Sequence, residues 1–183
     1  MTIKYMPLIA IALVFFITSC SPKLSEQDIT QAVSNVDAPF GAGLLTFQIS
    51  SDTNLNSLNN ISNSCTLLFL QTSDKKSLQD LMYNPVLIKQ FFSGVGKADG
   101  ILKIDKYIAM PGQDITLHID RSEGAKYVGI IAGYYPFPRK QHMIILDIPV
   151  DVVENGWWNK SLHASLSPLF KKVFLGKESI KQL

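Results

Sequence analysis

Hydrophobic patterning divides the 183-residue chain into a short apolar leader and a longer body of alternating segments. Residues 8–17 are almost wholly apolar, a run of about ten against the roughly 20 that a membrane-spanning helix needs. From residue 44 the period changes to two. Leu45, Phe47 and Ile49 alternate with Thr46, Gln48 and Ser50, which predicts a half-buried strand over residues 44–50. Residues 65–72 are apolar on both faces, the pattern of an interior strand. Residues 102–109 alternate imperfectly, while Ile115, Leu117 and Ile119 alternate cleanly with Thr116, His118 and Asp120. Residues 126–135 form a long β-type run, 143–150 read as another interior strand, and 161–167 and 172–175 read as two closing strands. Gly129 and Gly133 share one side of their run, which predicts close approach of another segment there. Residues 77–82 and 85–92 read as short helices, the second capped by Asn84 with Pro85 in its first turn. Its Leu87, Ile88, Phe91 and Phe92 make an apolar side to lay on a sheet. About eight short strands with turns between them predict an all-β sandwich with a small helical insertion.

Between the first two strands, residues 52–64 are rich in Asn and Ser, residues that compete for backbone hydrogen bonds and favour turns. This is a long connection for a compact domain, and long ordered loops are often functional. Leu55, Leu58 and Ile61 are interspersed in it. They either tuck into the core or stay exposed to meet a partner.

The leader begins with Lys4 and ends in small residues, Thr18 and Ser19, which describes a secretory signal over residues 1–19. Ile17-Thr18-Ser19-Cys20 resembles the bacterial lipobox. That resemblance implies that Cys20 is acylated on sulfur and becomes the first mature residue; an unmodified Cys20 would make the leader an ordinary signal peptide. Ser21, in place of an aspartate, resembles outer-membrane sorting. Residues 20–43 read as a tether in which residues 25–36 form a short helix capped by Ser25, and residues 44–183 as the folded domain.

Composition narrows the function classes. The formal net charge is only +2, which argues against a nucleic-acid partner. Of the two cysteines, Cys65 is left alone if Cys20 carries lipid, and it reads as a small packed apolar residue. None of His118, His142 and His163 has a metal-ligand neighbour at usable spacing, and there is no Gly-x-Ser-x-Gly elbow. Gly94-Val95-Gly96-Lys97 fails the phosphate-loop spacing and reads as a turn. No metal, cofactor, small-molecule substrate or enzymatic activity is expected. The lysines near the C-terminus read as a solvated tail, with contact to anionic headgroups as the alternative.

Tyr107-Ile108-Ala109-Met110-Pro111-Gly112-Gln113, the alternating strand after it, and residues 125–134 together resemble the type VI secretion outer-membrane lipoproteins, the TssJ (SciN) family. Asn54-Leu55-Asn56 is similar to that family's leucine–asparagine pair. Order and spacing across residues 44–150 carry the resemblance, and Cys65 and Trp157-Trp158 lie outside it. It implies a transthyretin-like β-sandwich, lipid-anchored to the outer membrane and facing the periplasm. Such a protein would hold the periplasmic domain of TssM, the large inner-membrane component. The family's partner-contacting loop then falls on Asn54, Leu55, Asn56, Ser57, Leu58, Asn59, Asn60 and Ile61. The residues alone leave open a pilotin-like assembly lipoprotein or a polysaccharide-binding sandwich, for which Tyr134, Tyr135, Phe137, Trp157 and Trp158 are the candidate stacking aromatics.

Overall fold

The structure, a computed structural model, describes residues 25–136, 138–156 and 161–183. Cys20, Phe137, Trp157 and Trp158 lie outside the described residues. The described elements are α1 (Glu26–Ser34), β1 (Gly41–Ser51), β2 (Cys65–Thr72), α2 (Lys75–Leu81), α3 (Pro85–Ser93), β3 (Ile101–Ala109), β4 (Asp114–Arg121) and β5 (Tyr127–Ala132). They continue with β6 (Met143–Asp147), β7 (Val150–Asn155), β8 (Ser161–Leu166), β9 (Leu169–Leu175) and β10 (Ile180–Gln182). Two four-stranded sheets, ordered β10-β9-β1-β4 and β3-β2-β5-β6, make the sandwich, and β7-β8 is a separate hairpin. Every strand pair is antiparallel except β1 with β9, where Leu45 lies opposite Leu169 and Ile49 opposite Val173.

The alternation read from the sequence faces the sheets toward each other. Leu45, Phe47 and Ile49 of β1 pack on Leu67 and Phe69 of β2, Val128 and Ile130 of β5, and Val173 of β9. Phe47 and Phe69 meet across the layers with ring centroids 4.9 Å apart, tilted by 41°, a favourable aromatic arrangement. Gln71 is the buried polar tie. Its amide donates to Asp120 O (2.8 Å) and accepts from Ser122 N–H (2.8 Å), joining the end of β2 to the end of β4.

β2 is apolar on both faces because its second face is also covered. Leu68 and Leu70 meet Leu78 and Leu81 of α2 and Ile88 and Phe91 of α3. The chain stops each helix as its sequence dictates. Asp74 accepts from Lys76 N–H at the start of α2, Asn84 from Leu87 N–H ahead of Pro85, and Gly94 ends α3 at φ 82°. The two glycines of the fifth strand region are where these helices press closest. A Cβ on Gly129 would lie 2.8 Å from Leu78 Cδ2, and one on Gly133 would lie 2.7 Å from Phe92 Cε1.

Several boundaries differ from the sequence pattern: β1 begins at Gly41 and β9 at Leu169, each three residues early. β5 ends at Ala132: Gly133 N–H still bonds Thr66 O (2.8 Å), but Tyr134 N–H turns back onto Ala132 O (3.0 Å). The apolar run 143–150 is two strands, β6 and β7, parted around Pro149, which has no N–H to give a ladder. The C-terminus adds β10 on the outer edge of β9, so the strands number ten among the described residues. Ahead of the sandwich, Ser25 caps α1 as expected, bonding Asp28 N–H while Asp28 bonds back to Ser25 N–H. The helix rests beside β7 and β8, and Lys126 Nζ holds its end through Ser34 O at 2.9 Å.

Candidate functional site

The connection from β1 to β2 is a built structure. Asp52 O accepts from Leu55 N–H (3.0 Å) and Gly112 N–H (3.1 Å), and Asp52 Oδ1 accepts from Asn54 N–H (2.7 Å). These bonds form a tight turn that drives Leu55 into the sandwich core, where it is fully buried. Thr53 and Asn54 stay exposed. Beyond the plug, Leu58 and Ile61 exchange backbone hydrogen bonds, 2.9 Å in each direction, around Asn59-Asn60. Both asparagines have positive φ, 50° and 61°, the conformation of a type I′ hairpin turn, which asparagine adopts at low steric cost.

Asparagine side chains hold this small hairpin to the body. Asn56, itself at φ 45°, donates from Nδ2 to Ser64 O (2.9 Å) and accepts Tyr135 N–H on Oδ1 (2.8 Å). Asn63 Nδ2 donates to Ile61 O (2.8 Å), and Ser62 Oγ to Thr53 O (2.8 Å). The expected loop residues therefore separate by role. Leu55 is the plug, Asn56 is a strut, Ser57 is partly buried, and Asn59 and Asn60 are the turn. Leu58 and Ile61 stand in solvent, 43% and 67% exposed. Their backbone is already held by hydrogen bonds, so a partner would not have to order it on binding.

The same end of the sandwich carries the segment after β5 and the turn between β9 and β10. A cleft of about 300 Å³ lies among them, lined on one wall by Asn56, Ser57 and Leu58 and on the other by Tyr135, Arg139 and Lys177. Its floor is locked. The Tyr134 hydroxyl donates toward Gly176 O (3.0 Å) and Ser179 O (2.9 Å), and burial pushes its pKa well up. Beneath it, 4.7 Å between ring centroids, is the buried His142. His142 Nδ1 accepts Arg139 N–H (2.9 Å), and Nε2 donates to Glu178 O (2.9 Å). These bonds define a neutral imidazole. Protonating Nδ1 would set two donors face to face, and burial lowers the pKa of His142 below its ordinary value.

The unfolded chain takes up the proton first, so the stability held by neutral His142 is complete above the unfolded pKa of about 6.5 and falls as the pH drops through the lowered folded value. Urea unfolding of the native protein should lose stability from about pH 6.5 downward, by no more than about 1.4 kcal/mol per pH unit for this one proton. His142→Gln should flatten that part of the curve, and an unchanged curve would exclude the assignment.

The other singled-out groups are structural. Cys65 is a free, buried thiol of the core, and burial pushes its pKa up to about 12, far from a reactive thiolate at neutral pH. His118 Nδ1 pairs with Thr46 Oγ1 at 3.1 Å. Of the candidate sugar-stacking aromatics, Tyr134 is buried and only Tyr135 is exposed among the described residues. Tyr135, Arg139 and Lys177 were not legible as parts of one site. They belong to connections that only the folded chain brings to the loop. Tyr135-Pro136 at the end of a strand was the available signal.

A family model described as "Type VI secretion lipoprotein, VasD, EvfM, TssJ" matches residues 44–165. No curated protein sequence matches the chain. Three solved structures of low identity share the fold. The type VI lipoprotein TssJ1 from Pseudomonas aeruginosa is 16% identical, with a TM-score of 0.56 over 80% of this chain and 95% of that one. Serratia marcescens Lip, a membrane-bound component of the type VI secretion system, is 16% identical, with a TM-score of 0.55 over 76% and 96%. A chain of the structure described as the TssM C-terminal domain (869–1107) from EAEC is 15% identical, with a TM-score of 0.53 over 76% and 96%.

Proposed function

Since this chain belongs to the type VI secretion lipoprotein family that includes TssJ, we propose that it is the lipoprotein that holds the periplasmic domain of a TssM-like inner-membrane protein to the outer membrane. Residues 1–19 are the signal, Cys20 carries the lipid, and residues 20–43 lead into the sandwich. The protein is a mechanical link, with no chemical step to perform. The observation that carries this reading is the rigid hairpin with Leu58 and Ile61 held out in solvent. Support also comes from the likeness to a chain in the structure described as the TssM C-terminal domain.

Burial of one such aliphatic side chain against a partner is worth about 1.5–3 kcal/mol. Leu58→Asp and Ile61→Asp are each expected to weaken binding of the purified TssM periplasmic domain by about 2 kcal/mol, near thirtyfold in Kd. The change should leave the melting temperature alone, because both side chains are exposed. Titration calorimetry on the full-length protein in detergent measures this. Affinity unchanged in both variants would remove the hairpin from the interface.

A further inference from the structure

We propose that the cleft beside the hairpin is the second half of the docking surface, and that it receives an acidic side chain from a loop of the partner protein. This inference rests on the partner reading above but makes its own demand on the partner's chemistry. Arg139 and Lys177 line the cleft and are exposed. Among the described residues neither has a carboxylate within ion-pair distance; the ion pairs that form lie elsewhere, as Lys75–Asp147, Lys76–Asp80 and Lys103–Asp105. Glu178 lines the same cleft; His142 takes its backbone oxygen, and its exposed carboxylate acts on His142 without pairing either cation, so the cleft holds two cations against one anion. Two cations thus stand unpaired over a floor fixed by Tyr134 and His142.

A guanidinium offers a rigid fork of donors that matches a carboxylate, so an acid entering the cleft meets ready geometry. Tyr135, 64% exposed, and Leu58 flank the opening. Tyrosine and arginine are the residue types that concentrate binding energy at interfaces. The cleft shares Leu58 with the hairpin, so one partner loop crossing the tip reaches both. The hydrogen bond from Tyr135 N–H to the side-chain Oδ1 of Asn56 (2.8 Å) holds the two halves in register.

The test uses the full-length protein in detergent and the purified TssM periplasmic domain, with association followed by biolayer interferometry at low and high salt. Arg139→Glu and Lys177→Glu should each raise Kd about tenfold or more, chiefly through slower association, and should reduce the salt dependence. Lys140→Glu, whose ammonium lies over Tyr83 away from the cleft, should bind as the unaltered protein does. An aspartate- or glutamate-to-lysine change in the partner should restore binding to Arg139→Glu. If both cleft variants bind normally at every salt concentration while Leu58→Asp does not, the cleft inference is overturned and the hairpin reading stands. If all these variants bind normally, both are overturned. If the cleft variants lose binding only to phosphatidylglycerol vesicles, the cleft belongs to lipid headgroups and the inference is overturned.

Discussion

Phe69→Ala is expected to lower unfolding stability by about 3–5 kcal/mol. Phe69 is 1% exposed and sits on β2, which has a strand on each side. Its ring meets Phe47 across the layers at 4.9 Å. Truncation therefore removes one ring contact between the two sheets and leaves a cavity that strands tied by hydrogen bonds close only in part. Domains of this size hold about 5–15 kcal/mol in total, so the variant should unfold at much lower urea and come largely insoluble from cells. Phe170, also aromatic but 52% exposed on β9, supplies the control. Phe170→Ala should stay within about 0.5 kcal/mol of the parent. A Phe69→Ala loss below about 1 kcal/mol would mean that the sheets are not packed through these rings.

The second large effect concerns location. On the anchor reading, Cys20→Ser removes the thiol that the lipid thioether requires, and the protein should leave the membrane fraction entirely. Multiple acyl chains hold a protein stably where one holds it only marginally, so no intermediate partitioning is expected. Labelling with a palmitate analogue should vanish in the same variant. On the same reading Cys20 belongs to the tether ahead of the sandwich, so the released protein should keep its unfolding curve and its intrinsic affinity for the partner domain. Secretion should fail even so, since confinement to a surface is what raises the effective concentration of each partner for the other. Retention of Cys20→Ser in outer-membrane fractions would refute the anchor.

Much of the architecture was legible wherever one residue type had one physical reading. The two-residue period of Leu45, Phe47 and Ile49 gave the core face of β1, and the doubly apolar β2 announced a cover on both sides. Asn84-Pro85 gave the start of α3, and the turn read at residues 94–97 opens on the Gly94 that caps its end. Gly129 and Gly133 signalled a close approach, and Leu78 and Phe92 turned out to make it. The pattern failed where composition and pairing part company. Ile148 and Val150 extend the apolar run of β6 in sequence, yet Pro149 interrupts the ladder between them. The parallel pairing of β1 with β9 leaves no local trace, because it is decided by which remote strand fills the bare edge. The hairpin was half legible. Its asparagines predicted turns, but the plugging of Leu55 and the outward set of Leu58 and Ile61 depend on bonds to Asp52 and Ser64. Arg139 and Lys177 meet at the cleft only through His142 and Tyr134, which are buried beneath them.

One pairing has a bearing on how the molecule comes into being. β1 lies between β4 and β9, and its last residue is paired with Leu175. A nascent chain extruded N-terminus first therefore keeps one side of β1 unpaired until β9 has emerged. Pairings so distant along the chain are slow to form, and an unpaired apolar strand invites aggregation while it waits. Chains stalled before β9 should be the ones degraded first.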